Sequence, residues 1–423
     1  CSSDLLFSVC FHFPDSMEKR QYDAVEKDAE DDGKRIHQEE VFDYDANDCV
    51  EFHQVTAVEH EDGSRRLVQL CPSFKPGMTH QVFEDERIVG IKDPHVDIYF
   101  NPSTCDMCAF AKCDSTPENR KQLLKKVKKW IADDANTNRT IYLNRIFESE
   151  QGFQPRGVCI DSYGAFSMYL TTLSSPESIA LFNNMQSLGY WFIDGASQIV
   201  VDPDSHHRWL LLSLFTSSEG HPILVGYCFL YIFTNPFTSP AYSLRLCQIL
   251  ILPPFQKQGH SSHFFDVVYS ILLHHAPSTY LPDAYPCEED RKEECNYYMF
   301  TVEDPCEEFT FVRDVYDCRL LKQNELMQSY VQSEPIWDWK EEDLEQIRRT
   351  LGLIPSQVNK CYQILLHQRY RDKESKEYRL YMKRKLATLY REELELIHEG
   401  DQFRSRLQEL FEATDRYYEE ICN

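Results

Sequence analysis

The sequence is poor in glycine, in positive charge and in long apolar runs. Glycine occurs only 14 times in 423 residues, so a glycine held in a polar loop stands out. Lysine and arginine number 44 against 69 aspartates and glutamates, a formal net charge of −25. A surface of that sign repels nucleic acid and anionic lipid and attracts basic partners, although acidity alone indicates no more than solubility. No apolar run approaches the ~20 residues of a membrane span. The longest, residues 223–233, is strand-like and interrupted by Gly226. The apolar residues 1–14 have no basic stretch before them, which argues against a secretory signal. A cysteine framework is also missing. The 16 cysteines are scattered, and Cys105 and Cys108 form the single CxxC, with Cys113 nearby. A structural zinc site wants a second pair at suitable spacing, so no metal is expected. Reduced thiols in an intracellular compartment are the simpler reading.

Enough apolar material is present for a sizeable core, with 42% hydrophobic and 13% aromatic residues. The length suggests two to four structural units. Residues 1–48 are acidic and read as a disordered segment. Residues 49–145 read as a small α+β unit, with strands at 50–55, 67–70, 80–83 and 96–100 and a basic helix over 119–131. Lys125, Lys126, Lys128 and Lys129 on that helix read as a solvated face. Residues 146–325 carry β-branched and aromatic runs. A hairpin is expected from 209–215 through the turn 218–222 into 224–233, then a strand over 243–252 stopped by Pro253-Pro254. The Pro-rich, charged stretch 276–298 reads as a surface insertion. Residues 326–423 read as charged helices.

The informative unit is strand, Pro-Pro, Gln-x-x-Gly-x-Ser, helix. Phe264, Phe265, Val267, Val268, Ile271 and Leu272 fit one broad face of the helix after the loop. A helix N-terminus offers unpaired N–H groups and the positive end of a dipole, which suits a pyrophosphate. Gly259 has no Cβ to keep the backbone from the ligand. Read alone, the loop fits a plain strand-to-helix turn equally well.

Residues 249–260, Ile-Leu-Ile-Leu-Pro-Pro-Phe-Gln-Lys-Gln-Gly-His, resemble the cofactor strand and loop of the histone acetyltransferase type B catalytic subunits, within the Gcn5-related N-acetyltransferase superfamily. Three further segments resemble that family in its order: Phe74-Lys75-Pro76 with 79–83, residues 190–197, and Thr301-Val302-Glu303-Asp304-Pro305 followed by Phe309 and Arg313-Asp314. The resemblance implies an α+β fold of that superfamily, a mixed central sheet flanked by helices. It also implies acetyl-CoA as cosubstrate, with the backbone of Ile249, Leu250 and Ile251 along the pantetheine arm. Gln256, Lys257, Gln258, Gly259, His260, Ser261 and Ser262 would surround the pyrophosphate. Lysine is almost entirely a non-nucleophilic ammonium at neutral pH, so direct attack on the thioester needs a base. Glu303 is the expected base, with Asp304, expected on the opposite strand face, and Asp194 as further catalytic acids. Asp85, Glu86, Trp209, Tyr231 and Phe233 match positions that meet the substrate, the tail of free, newly made histone H-four. A β-propeller histone chaperone of the retinoblastoma-binding type is the expected partner, and residence is nuclear and cytoplasmic. Four positions depart from the family pattern: Lys257 and Ser261 replace small residues, Asp194 replaces a Glu, and Arg87 an acid. A non-catalytic histone-binding subunit and another protein N-acetyltransferase are the alternatives.

Overall fold

A computed structural model describes residues 42–131, 138–150, 155–234, 242–273, 299–336, 338–371 and 375–423. Residues 1–41 and the insertion expected at 276–298 lie outside them. The architecture is mixed α+β, with three sheets among the described residues. In chain order the strands are β1 (Asp43–Asp45), β2 (Val50–Glu59), β3 (Arg65–Gln69), β4 (Arg87–Val89), β5 (His95–Phe100), β6 (Met107–Lys112), β7 (Val158–Tyr163), β8 (Phe166–Thr172), β9 (Trp209–Ser218), β10 (His221–Thr234), β11 (Tyr242–Ile251) and β12 (Met299–Val302). The amino-terminal sheet runs β3-β2-β5-β6, the central sheet β12-β11-β10-β9-β8-β7, and β1 pairs with β4 in a short ribbon. Residues 43–45 are thus ordered, inside the stretch read from sequence as disordered. Residues 80–83 were expected as a strand. They form a turn instead, in which the N–H groups of Val82 and Phe83 donate to Thr79 O at 2.9 and 2.8 Å. The basic helix is shorter than its lysines suggested, Pro117–Val127.

Alternation along β9 explains how the central sheet divides the molecule. Leu210, Leu212 and Leu214 face the helix His260–Leu273 and the carboxy-terminal helices, while Trp209, Leu211 and Phe215 face the amino-terminal unit. Strand geometry sends successive side chains to opposite faces, so one strand feeds two cores. In β11 the phase slips: Leu244 and Leu246, then Ile249 and Ile251, occupy the helical side. The slip is a β-bulge, because Phe229 pairs with Gln248 but Leu230 pairs with Leu246, leaving Cys247 as the extra residue. Bulges bend the strand and re-aim its side chains. Near the other end of β11 the backbones approach closely at Gly226, where a Cβ would sit 2.4 Å from Leu250 O. Only glycine fits there.

The two units read separately from sequence share one core. Phe52, Phe74, Phe83 and Phe100 of the amino-terminal unit pack in the same cluster as Trp191, Phe192, Tyr227, Phe229 and Leu250. Gln54 is fully buried and exchanges two hydrogen bonds with the backbone of Leu224, at 2.7 and 3.0 Å. Burying a polar side chain is tolerable only when it is satisfied in this way.

Candidate active site

The helix Pro176–Phe192 begins on a Ser175 cap and ends where Ile193 N–H donates to Gly189 O. Asp194 follows at once, and Gly195 turns the chain with φ at 68°, a conformation that costs glycine little. The N–H groups of Gly77 and Met78 donate to Trp191 O at 2.9 and 3.3 Å, which docks the amino-terminal segment against this helix end. His80 therefore lies beside Asp194, with Nε2 at 3.2 Å from Oδ1, and its Nδ1 faces Glu86 Oε1 at 3.9 Å. Glu86 also accepts from Thr79 N–H at 2.8 Å.

The opposite wall comes from β11 and β12. These strands run parallel, but their pairing covers only Ser243–Leu246 against Met299–Val302. Past that point the chain of β12 turns away: Glu303 N–H makes a last bond to Leu246 O at 3.0 Å, and Asp304 adopts a positive φ of 36°. Glu303 and Asp304 are therefore in a turn rather than the strand. The opposite-face expectation for Asp304 does not hold, and Glu303 and Asp304 both line one cleft with Asp194, Cys247, Gln248, Ile249 and Phe309. Cys247 is a site residue that sequence reasoning missed. Its signal was the phase slip in the apolar alternation of β11. Its Sγ donates to Arg245 O at 3.9 Å, and burial together with the nearby Glu303 carboxylate pushes its thiol pKa up, so it stays protonated.

Ile249 and Ile251 are buried on the helical side and Leu250 on the other, so a ligand along β11 would meet backbone rather than these side chains. After Leu246 no strand among the described residues pairs with β11 on the β12 side. That free edge suits an extended amide-bearing arm. The loop beyond it is pinned from within, Gln256 Nε2 donating to Ile251 O at 2.8 Å and Gln258 Nε2 to Pro254 O at 3.1 Å. Lys257 and Gly259 have φ of 61° and 80°, and the space beside Gly259 is open. An anionic group fits at this helix start. His260 and Ser261 are buried, so their contribution there is through backbone. Ser262 N–H already donates to Gly259 O at 3.1 Å.

The His260 ring accepts from or donates to Tyr163 Oη at 2.9 Å, and its Nε2 is buried without a partner. Burial, with the nearby His263, lowers its pKa from 6.5 to about 4. The sign follows: the folded state resists protonation that the unfolded state accepts. Stability contributed by the neutral ring is present above pH 6.5 and is lost as pH falls toward 4, by up to about 3 kcal/mol. Denaturant unfolding of wild type and His260→Phe at pH 7 and pH 5 is expected to show the steeper loss in wild type; parallel losses would contradict it.

The candidate substrate residues separate. Trp209 packs between Phe182 and Tyr231, with ring centroids 5.4 and 4.7 Å away, and is buried. Tyr231 is half-buried, and Phe233 is exposed beneath the Arg245 guanidinium at 4.3 Å. Asp85 is exposed in a short 3-10 turn with φ at 51°. Arg87, the basic departure, is engaged by Asp43 at 2.8 Å across the β1–β4 ribbon. Cys105 and Cys108 pack in different clusters, and burial pushes the Cys108 thiol up to about 12. No helix among the described residues is long and apolar enough to cross a membrane.

Residues 42–194 match the family described as Histone acetyl transferase HAT1 N-terminus. A histone acetyltransferase type B catalytic subunit of Dictyostelium discoideum is 25% identical over 341 residues, 74% of this chain and 64% of its own length. The chain thus spans just under two thirds of that relative. A protein of the same name from Cryptococcus neoformans is 25% identical over 395 residues, 82% of this chain and 87% of its own. Another, from Mycosarcoma maydis, is 30% identical over 266 residues, 60% of this chain and 53% of its own. The chain is therefore a homologue of the histone acetyltransferase type B catalytic subunits.

Proposed function

We propose that the protein transfers acetyl from acetyl-CoA to lysine side chains in the tail of free histone H-four, on a Gcn5-related N-acetyltransferase fold. One observation carries the reading. The free edge of β11 ends at a helix-start loop suited to an anion and opens onto a cleft holding three carboxylates, Asp194, Glu303 and Asp304. Acetyl-CoA supplies the thioester. The backbone of Ile249, Leu250 and Ile251 would hold the pantetheine arm, and the loop Gln256–Ser262 the pyrophosphate. Glu303 accepts the ammonium proton of the incoming lysine. The freed amine forms the new amide bond at the thioester carbonyl, and the C–S bond breaks as CoA leaves as its thiol with a second proton from the amine. Cys247 lines the cleft beside Glu303. Asp194, set by His80 and Glu86, faces a cationic tail across the cleft. Tyr231 and Phe233 extend this surface with aromatic area, and Asp85 with charge. A retinoblastoma-binding-type β-propeller chaperone and nuclear and cytoplasmic residence complete the proposal.

The test is direct. The full chain is incubated with labelled acetyl-CoA and H-four tail peptides, beside peptides with every lysine replaced by arginine. Label is expected on the lysine peptide alone. Tail binding without transfer would support a non-catalytic histone-binding subunit instead.

A further inference from the structure

The outer face of the amino-terminal sheet, away from the shared core, carries a second cluster. β2 and β5 run parallel with Glu51 opposite Asp97 and His53 opposite Tyr99. Alternation puts Val50, Phe52, Val96 and Ile98 in the core and sends Glu51, His53, His95 and Asp97 to the other side. Asp97 Oδ1 lies 3.1 Å from His53 Nε2 and 2.9 Å from His95 Nε2, and His95 Nε2 is 4.0 Å from Glu51 Oε2. The ligand atoms of Glu51, His53 and Asp97 all lie within 4.8 Å of one another.

From these distances we propose a divalent transition-metal site, of the zinc class, formed by Glu51, His53 and Asp97, with His95 beside Asp97 and Glu51 to complete the coordination by a ring shift. Zinc with ligands at about 2.0–2.2 Å needs donor atoms about 3.3–3.5 Å apart at the corners of a tetrahedron. His53 Nε2 and Asp97 Oδ1 at 3.1 Å are near that spacing, and the Glu51 donor lies within 4.8 Å of both. The donors are imidazole and carboxylate, the set that zinc shares with few commoner ions.

The surroundings orient the donors. Ser73 Oγ donates to Glu51 Oε1 at 2.5 Å, leaving Oε2 to face His95. Lys112 Nζ holds Asp97 Oδ2 at 3.1 Å, leaving Oδ1 to face both rings. Each carboxylate thus has one oxygen occupied by a donor and presents the other, as outer-sphere partners do at metal centres. Tyr99 stacks on His53 at 4.7 Å and 18°, fixing the ring plane. His53 Nδ1 is buried without a partner, so whatever binds Nε2 sets the tautomer. His53 and Asp97 are buried while His95 and Glu51 are partly exposed, which gives an ion an entry path. A bound ion would cross-link the two central strands of this sheet.

The full chain, stripped with chelator, is titrated with Co²⁺ and then with Zn²⁺. One equivalent of Co²⁺ is expected to give the visible bands of a tetrahedral site with no thiolate charge-transfer band, and Zn²⁺ to remove them. His95→Ala and Glu51→Gln are each expected to weaken binding at least tenfold. Ser73→Ala, which leaves all four ligands in place, is expected to weaken it about 10–100-fold, and it serves where the ligand variants misfold. No stoichiometric uptake by wild type, a thiolate band placing the ion on cysteine, or wild-type affinity in all three variants would overturn the site.

Discussion

Glu303→Gln is expected to lower the turnover number for acetyl transfer at least 100-fold, with little change in acetyl-CoA affinity. The substitution keeps shape and removes a proton acceptor. General-base catalysis contributes about 10²–10⁴-fold, and a hundredfold loss is about 2.7 kcal/mol of barrier. Glu303 is suited to the role because its backbone is tied to Leu246 O and it lines the cleft beside Cys247 and Asp194. The proposed base is thereby held at the point where β12 diverges from β11. The proposed cofactor edge is backbone of β11, so equilibrium binding of acetyl-CoA should survive the change. Steady-state and single-turnover rates at saturating acetyl-CoA decide the matter. Undiminished transfer would move the base to Asp194 or Asp304, and a selective loss in Asp194→Asn would choose between those two.

Asp317→Ala is expected to destabilise the fold by about 3–5 kcal/mol, the usual cost of leaving one member of a buried ion pair alone. The helix Glu307–Leu321 follows directly on the Glu303 turn. Its Asp317 is fully buried, 3.3 Å from the buried Arg313 guanidinium, and accepts from Tyr269 Oη and, at 2.9 Å, from Gln357 Nε2. Neighbouring Asp314 accepts from Gln357 at 2.9 Å and Tyr417 at 2.6 Å, and pairs with Lys360 at 2.5 Å. These contacts fasten the carboxy-terminal helices to the helix that positions the acid turn. Burial raises the Asp317 pKa to about 6, against the pull of Arg313. A carboxyl raised in the fold contributes stability below the unfolded carboxylate range that is lost as pH rises through 6. The pair is therefore costly at neutral pH, and Arg313→Leu with Asp317→Leu should recover most of what Asp317→Ala loses. Urea midpoints at pH 7 for the three proteins test this. A loss below 1 kcal/mol in Asp317→Ala would show that Arg313 finds another partner or reaches water.

The strands and the loop assigned to the cofactor were legible in the sequence as elements of the fold. The apolar runs of β9, β10 and β11 and the loop before His260 read correctly because each is local, set by alternation, Pro-Pro and a single glycine. The turn at residues 80–83 did not. Its β-branched and aromatic residues suit a strand, but the N–H groups of Val82 and Phe83 are spent on Thr79 O and their side chains on the core. Asp304 was misplaced because a positive φ leaves no trace in an aspartate. His80 and Cys247 escaped because their importance comes from partners distant in sequence, Asp194 and Glu303. The cluster on the outer sheet face escaped for a similar reason. Glu51-x-His53 and His95-x-Asp97 look like half-exposed strand residues until parallel pairing brings them together, and a search guided by cysteine spacing passes over them.

The bonds between Gln54 and Leu224, and the core that continues across them, bear on what can enter the cleft. One wall carries Asp194, with His80 and Glu86 beside it, on the interior shared by both units; the other carries Glu303 and the bare edge of β11, held between that interior at Leu250 and the helical-side core at Phe300 and Phe309. Interiors at crystal-like density do not stretch. Access to the acid cleft is therefore set by a continuous packed core rather than by a loose joint between the amino-terminal and central sheets.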